Sequence, residues 1–120
     1  MVCTLTIPAS NFQLFRGVYY MENQIKKDMI RLNCFLEISD SSLTKKAVET
    51  AVELVELSLH DKGCITYEAF SSLTSDNHIQ IVETWKDDES LKAHSESEHF
   101  RRLVPELEKC GTLTLERFDF

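Results

Sequence analysis

The segment from Glu83 to Phe100, ETWKDDESLKAHSESEHF, concentrates residue types that could carry out acid–base chemistry. Glu83 and Trp85 are two residues apart, so on a strand both side chains point to the same face of a sheet. His94 and His99 follow, and an imidazole with an ordinary pKa of about 6.5 can take up a proton near neutral pH. The segment therefore predicts a polar site at the end of one strand and the start of the next helix.

The two histidines need a bend in the chain before they can act together. They are five residues apart, which is about 500° around a helix, so they need not share a face unless the SES sequence at residues 95–97 forms a kink. No third ligand stands at a useful spacing from them, and the four cysteines form no C-x-x-C pair. We therefore expect no metal site.

Hydrophobic periodicity indicates the elements that must position these residues. Residues 30–38 alternate in the manner of a strand, and GCITYEAFSSL, the turn TSDN and HIQIVETW predict a hairpin. A second helix is expected to begin at Asp87 or Asp88 and to bend or break at SES and at Pro105. Apolar residues at helical spacing predict the first helix: Ala47, Val48, Ala51, Val52, Val55 and Leu59.

With TLTLERFDF as the last strand, the order is β-α-β-β-α-β. This order predicts an α+β, ferredoxin-like fold in which two helices cover one face of an antiparallel sheet. The other face is expected to be partly apolar, because strand three offers Glu83 and Trp85 among isoleucines and strand one offers Asn33 and Phe35. In a chain this small, such a sheet predicts a homodimer with a closed pocket.

Composition narrows the classes of partner. The chain has 120 residues, with 13 Lys and Arg against 20 Asp and Glu, and a net charge of −7. An acidic surface disfavours nucleic acid and anionic membranes. No apolar run approaches the roughly 18 residues of a membrane span, and the irregular cysteine spacing fits a reducing compartment. We expect a cytoplasmic protein with neither nucleic acid nor membrane as a partner.

The character of the sequence changes near Asp28. Residues 1–28 contain an aromatic cluster but lack a sustained period, and we interpret them as an N-terminal extension. Regular periods begin at Met29, so residues 29–120 are predicted to form the folded domain.

Three motifs in this domain resemble those of the antibiotic biosynthesis monooxygenase (ABM) family. They are a G-C-x-x-Y strand ending at Tyr67, an E-x-W strand end at Glu83 and Trp85, and an A-H-x-x-x-x-H-F-like helix containing His94 and His99. The resemblance covers roughly residues 29 to 119 and is closest to bacterial quinol monooxygenases and to isomerases that process phosphorylated autoinducer-2. It implies a dimeric α/β barrel and a reaction without a cofactor.

The resemblance further implies that a small aromatic quinol or phenol is oxidised directly by dioxygen. In such a reaction His94 and Glu83 are the candidate catalytic residues, as base or hydrogen-bonding groups. The candidate substrate-binding residues are Trp85, Asn33, Phe35, His99 and Tyr67. A structural interpretation stands beside each role: Trp85 could belong to the core, and Glu83 could cap a helix or pair with Arg31.

Other functions fit the same fold. An isomerase of a small phosphorylated, sugar-like substrate would need cations at the pocket mouth, for which Arg101 and Arg102 are available. A haem-degrading relative is disfavoured, because Val104 lies near the position where that branch has its axial histidine. A dimeric binding module without catalysis is the remaining alternative, since a fold does not determine a function.

Overall fold

Four strands and two helical regions follow one another in the order β-α-β-β-α-β in a computed structural model that describes residues 27–120. The predicted N-terminal extension lies, apart from its last two residues, outside the described residues. The elements are β1 (Ile30–Ile38), a 3-10 turn (Ser41–Leu43), α1 (Thr44–Ser58), β2 (Cys64–Ser71), β3 (His78–Trp85), α2 (Asp88–Ser95), α3 (Glu98–Glu108) and β4 (Gly111–Asp119).

The strands form one sheet in the order β2-β3-β1-β4, and every neighbouring pair is antiparallel. The core lies where the inner residues of these strands pack against α1 and α3, and it includes Leu36, Ile81, Leu54 and Leu107. The predicted ferredoxin-like order and fold class are confirmed. None of the helices between residues 27 and 120 combines the length and apolar character that crossing a membrane requires.

The first helix uses a different face from the predicted one. Asp40 accepts a hydrogen bond from the Ser42 backbone N–H at 2.8 Å and so starts the turn that leads into α1. Of the predicted apolar face, Ala47 and Ala51 are buried, whereas three other members are exposed: Val48, Val52 and Leu59. The residues of α1 that are buried are Ala47, Thr50, Ala51, Leu54 and Ser58. Both stripes have helical spacing, so the period alone could not choose between them.

The second helical region is broken at one of the two predicted positions. Asp87 caps α2 by accepting from the Ser90 backbone N–H at 2.8 Å. The chain leaves helical geometry after Ser95, and the Ser97 hydroxyl then caps α3. Pro105 lies inside α3 without ending it, so of the predicted bend or break the helix shows no break at this residue. A proline removes one backbone donor, and the packing of Leu103 and Leu107 on the core keeps this turn helical.

Strand register decides which side chains meet. Glu83 lies opposite Leu32 of β1 and Tyr67 of β2, so all three point to the face that carries the helices. Asn33 lies opposite Val82, and Phe35 lies opposite Gln80, on the other face of the sheet. We call these two surfaces the helix face and the free face.

Candidate active site

A cavity of about 590 Å³ lies between the helix face of the sheet and helices α2 and α3. This volume is in the range of small-molecule sites. Its apolar walls include Leu32, Leu54, Ile81, Leu91, Phe100, Val104, Leu107 and Leu113. Tyr67 and Glu83 are buried polar side chains on its wall, and the exposed side chains of Asp88, Lys92 and Arg117 lie at its rim.

Glu83 places a carboxylate in this apolar cavity. It is 3% exposed, and its Oε1 accepts a hydrogen bond from the indole Nε1–H of Trp85 at 3.1 Å. Burial raises the pKa of Glu83, although the Trp85 indole N–H and the Tyr67 hydroxyl favour the charged form and act in the opposite direction. A carboxyl group with a raised pKa can take up a proton and return it nearer neutral pH than an exposed one.

Tyr67 supplies a donor beside this carboxylate. Burial, followed by the charge of Glu83, raises the pKa of the Tyr67 phenol, so its hydroxyl stays protonated. The same two causes raise the pKa of Cys34, which lines the cavity on β1, to about 12. At neutral pH Cys34 is therefore a thiol and a poor nucleophile.

His94 lies behind the cavity wall and does not line the cavity itself. It is 1% exposed, and its ring stacks on Trp85 with centroids 4.5 Å apart and an interplanar angle of 33°. The Tyr67 ring is 5.5 Å away, and the edge-on Phe100 ring is 5.2 Å away. His94 is thus enclosed by aromatic rings.

Asp61 joins the two histidines. Its Oδ2 lies 2.7 Å from Nδ1 of His94 and 2.7 Å from Nε2 of His99. The break between α2 and α3 therefore brings together two side chains that a continuous helix would separate. Burial lowers the pKa of His94, and Asp61 acts against this shift by favouring the charged ring.

The loop after α1 holds Asp61 in place. Gly63 has a φ of +82°, and a Cβ there would meet the Ser90 side chain, so the turn requires glycine. The Gly63 carbonyl accepts a hydrogen bond from the Lys86 backbone N–H at 2.8 Å. This bond ties the loop to the end of β3, one residue after Trp85.

Asp61, His94 and His99 also offer one donor atom each within 4.8 Å of one another, as a divalent cation would require. Their geometry is that of hydrogen bonds, because both nitrogens lie 2.7 Å from a single carboxylate oxygen. A metal-bound histidine usually donates its second ring N–H to a partner, but Nε2 of His94 has none among residues 27–120. We therefore assign hydrogen bonding, and not metal ligation, to this cluster.

The structure brings together five of the seven predicted site residues: Tyr67, Glu83, Trp85, His94 and His99. Asn33 and Phe35 are not brought to them within one chain, because the register turns both to the free face. There Asn33 donates to Glu116 at 3.3 Å. Arg31, the suggested partner of Glu83, instead donates to Thr84 at 3.1 Å.

Asp61 is the site residue that sequence reasoning missed. It precedes His94 by 33 residues and belongs to a loop with no recognisable motif. The sequence shows no third ligand at a useful spacing from the histidines, yet the fold brings Asp61 to both, because spacing along the chain does not report contacts between a loop and a distant helix. The DKGC sequence, in which Gly63 marks a tight turn, was the available signal.

Comparisons with known proteins identify the family of this chain. The profile of the family named "Antibiotic biosynthesis monooxygenase" matches residues 29–106. The Bacillus subtilis (strain 168) protein named "Putative monooxygenase YcnE" is 28% identical over 76 residues, which are 63% of this chain and 79% of that one.

Solved structures show the same fold. A Bacteroides thetaiotaomicron protein of unknown function, described as a "Possible Oxidoreductase", is 38% identical with a TM-score of 0.75, over 79% of this chain and all of that one. A structure described as an antibiotic biosynthesis monooxygenase is 25% identical with a TM-score of 0.70, over 76% of this chain and 97% of that one. The chain belongs to the antibiotic biosynthesis monooxygenase family.

Proposed function

We propose that this protein is a monooxygenase that oxidises a small aromatic quinol or phenol with dioxygen and uses no cofactor. The observation that carries the proposal is the buried Glu83 carboxylate, which accepts from the Trp85 indole N–H and lies beside Tyr67 on the mainly apolar inner wall of the cavity. Family membership and the names of the relatives support an oxygenase. The free thiols of Cys34, Cys64 and Cys110 fit a cytoplasmic enzyme.

Glu83 is the proposed base. It takes the phenolic proton, and the electron-rich phenolate then reduces dioxygen and forms a carbon–oxygen bond at a ring carbon that bears hydrogen. The resulting peroxide anion takes that proton back from Glu83 and becomes a hydroperoxide. Glu83 then removes the hydrogen of that carbon as a proton while the oxygen–oxygen bond breaks, which forms a second carbonyl group. The distal oxygen leaves as hydroxide and becomes water with this second proton, which Glu83 returns. A phenol and dioxygen thus become a quinone and water, and all electrons come from the substrate.

The remaining side chains support this step. The Trp85 indole N–H fixes the carboxylate, the Tyr67 hydroxyl donates beside it, and the apolar walls exclude water and strengthen each polar contact. His94, first considered as the base, lies behind Trp85, so we give it a supporting role. The proposed site therefore consists of Glu83, Tyr67, Trp85, His94 and His99.

The isomerase alternative finds less support. Arg101 and Arg102 are absent from the cavity lining, and Arg102 is paired with Glu53 and Glu98. The charged groups that do line the cavity are Glu83, Asp88 and Glu108 against Lys92 and Arg117. This lining has no excess of positive charge for a phosphate group.

Oxygen uptake with a panel of quinols and phenols, with anaerobic controls, tests the proposed activity. We expect uptake of one dioxygen per substrate, and one labelled oxygen atom in the product when ¹⁸O₂ is supplied. Binding of ligands with no oxygen uptake across the panel would support the non-catalytic binding module instead.

We also propose that the protein is a homodimer that packs through the free face of the sheet. This face carries Phe35, Phe118 and Val82, which are partly buried, and Phe70, which is 47% exposed. An apolar surface of this kind on a sheet favours burial against a second copy.

A further inference from the structure

A line of contacts connects a partly exposed carboxylate to the buried carboxylate of the cavity. Asp61 hydrogen bonds to His94 at 2.7 Å, and His94 stacks on Trp85 at 4.5 Å. Trp85 in turn donates its indole N–H to Glu83 at 3.1 Å. Asp61 lies in the loop after α1 and does not line the cavity, and its side chain is connected to Glu83 through the rings of His94 and Trp85.

The contacts to Asp61 define the protonation of both histidines. A carboxylate oxygen only accepts hydrogen bonds, so Nδ1 of His94 and Nε2 of His99 must each carry a proton. A neutral His94 therefore exists as the Nδ1–H tautomer, and its Nε2 is left without a proton. That Nε2 atom is buried and has no hydrogen-bond partner among the described residues.

Few charged groups face His94, and each of them can be named. Asp61 approaches from the loop after α1, and His99 approaches from α3. On the sheet side the ring faces Tyr67 of β2 and Trp85 of β3, and Glu83 lies beyond the indole. Among residues 27–120, Asp61 is thus the one negative group in direct contact with His94.

We propose that Asp61 is a positioning residue, which holds His94 as a neutral Nδ1–H imidazole against Trp85 and so fixes the indole N–H that binds the Glu83 carboxylate. The effect of Asp61 on turnover rests on the proposed function. Its effect on His94 and Trp85 does not, because both can be measured without a substrate.

The fluorescence of Trp85 reports the charge state of His94 without an added probe. Trp85 is the single tryptophan, and indole emission responds to a charge that appears on a ring stacked against it. Glu83 accepts from the indole N–H and also titrates, so the emission midpoints are recorded in a Glu83→Gln background, where the pH dependence follows the protonation of His94. Two-bond ¹⁵N–¹H correlation spectra of the four histidines report which ring nitrogen of His94 is protonated.

Three variants of the full chain separate the proposed role from a general structural one. Asp61→Asn removes the charge of Asp61 but keeps an oxygen acceptor. His99→Gln keeps an N–H donor but removes the second imidazole ring. Asp76→Asn, in the exposed β2–β3 turn, is the matched control. Asp61 raises the pKa of His94, whereas His99 lowers it. We expect Asp61→Asn to move the emission midpoint to lower pH by on the order of one unit, His99→Gln to move it upward, and Asp76→Asn to leave it unchanged.

Turnover gives the second measurement. Asp61→Asn should lower kcat, by up to about 10²-fold if Glu83 is misplaced, with little change in KM because Asp61 does not touch the cavity. If no phenol is oxidised by any variant but the emission midpoints move as expected, the proposed function fails and the positioning role stands.

Two results would overturn the role of Asp61. One is an Nε2–H tautomer of His94 in the unaltered protein, a measurement that needs no variant and remains decisive if Asp61→Asn does not fold. The other is a folded Asp61→Asn protein, judged by circular dichroism, whose emission midpoint matches that of the Asp76→Asn control.

Discussion

A buried carboxylate on the helix face of the sheet contrasts with a solvent-exposed polar pair on the free face. On the helix face, Glu83 is 3% exposed and its acceptor oxygen is matched to the indole of Trp85. On the free face, Asn33 and Glu116 form a solvent-exposed hydrogen bond at 3.3 Å. Successive side chains of a strand point to opposite faces, so on β2 a difference of one residue separates the buried Tyr67 from the exposed Glu68.

On the helix face, burial that is unfavourable for a charged carboxylate also gives that group a pKa suited to proton transfer. A carboxylate on the free face stays in water, whereas burial on the helix face disfavours the charged form of Glu83 and raises its pKa. The same shift suits a group that must take up and return a proton. A role for the helix face in catalysis therefore predicts that its polar residues affect activity more than stability.

The largest expected effect is that of Glu83→Gln on turnover. Glutamine keeps an oxygen for the Trp85 N–H but cannot take the phenolic proton, so kcat should fall by about 10² to 10⁴, the usual contribution of a general base. The measurement is oxygen uptake with the best phenol of the panel. Glu68→Gln, on the exposed free face of β2, is the matched control. Equal turnover of both variants would contradict the assignment of Glu83.

The next effect concerns stability and sharpens the contrast between the two faces. Trp85 is fully buried at 0% exposure, so Trp85→Ala should lower the free energy of unfolding by about 3 to 5 kcal/mol. Trp85→Phe keeps an aromatic ring beside His94 but removes the donor to Glu83, and should lower turnover with a smaller loss of stability. Denaturant unfolding measures the stability of both variants, and oxygen uptake measures the turnover of Trp85→Phe.

Leu73→Ala in the β2–β3 turn serves as the comparison for Trp85→Ala, because Leu73 is 99% exposed and lies outside the proposed dimer surface. A loss of stability in Leu73→Ala as large as that in Trp85→Ala would contradict the assignment of Trp85 to the core.

The free face should instead affect association. Light scattering of the unaltered protein at micromolar concentration is expected to give about twice the chain mass of 13.9 kDa. Phe35→Glu places a charge in the centre of the apolar surface and should give folded monomers. Leu73→Glu, at a residue 99% exposed in the β2–β3 turn, should remain a dimer. Monomers of the unaltered protein would contradict the proposed dimer.

The pH dependence of stability should also identify Glu83. Its pKa in the folded protein lies above the ordinary value of 4.5, so the folded state binds this proton more tightly than the unfolded state. The stability due to this group is therefore complete below 4.5 and is lost as the pH rises through the raised pKa. Tm should fall across this window in the unaltered protein and fall less in Glu83→Gln. Tm profiles that run parallel in the unaltered protein and in Glu83→Gln would contradict a raised pKa of the buried Glu83 carboxyl group.

The sequence predicted the features that depend on local spacing. The separation of two residues placed Glu83 and Trp85 on one face, and the SES sequence marked the break that brings His94 and His99 to Asp61. The order of elements followed from the periods, because each element buries one face.

The features that depend on contacts across the fold were not accessible in this way. The pairing of Leu32 with Glu83 fixes which alternate residues of β1 lie on the same face of the sheet as Glu83. No local sequence pattern reports that register. The buried stripe of α1 was ambiguous, because Val48 and Val52 continue the apolar spacing on an exposed face. Asp61 lies in a loop, and only tertiary packing brings it to the histidines.

The smallest expected effect is that of metal removal. If the helix face works through Glu83 and a hydrogen-bonded Asp61–His94–His99 cluster, dialysis against EDTA should leave oxygen uptake and Trp85 emission unchanged. Zn²⁺ added back should compete with both histidine protons if it binds there, since a metal ligand must lose the proton that its nitrogen carries. Loss of turnover with EDTA and recovery with Zn²⁺ would replace the hydrogen-bonded assignment with a metal centre, and the chemistry of the helix face would then no longer rest on Glu83 alone.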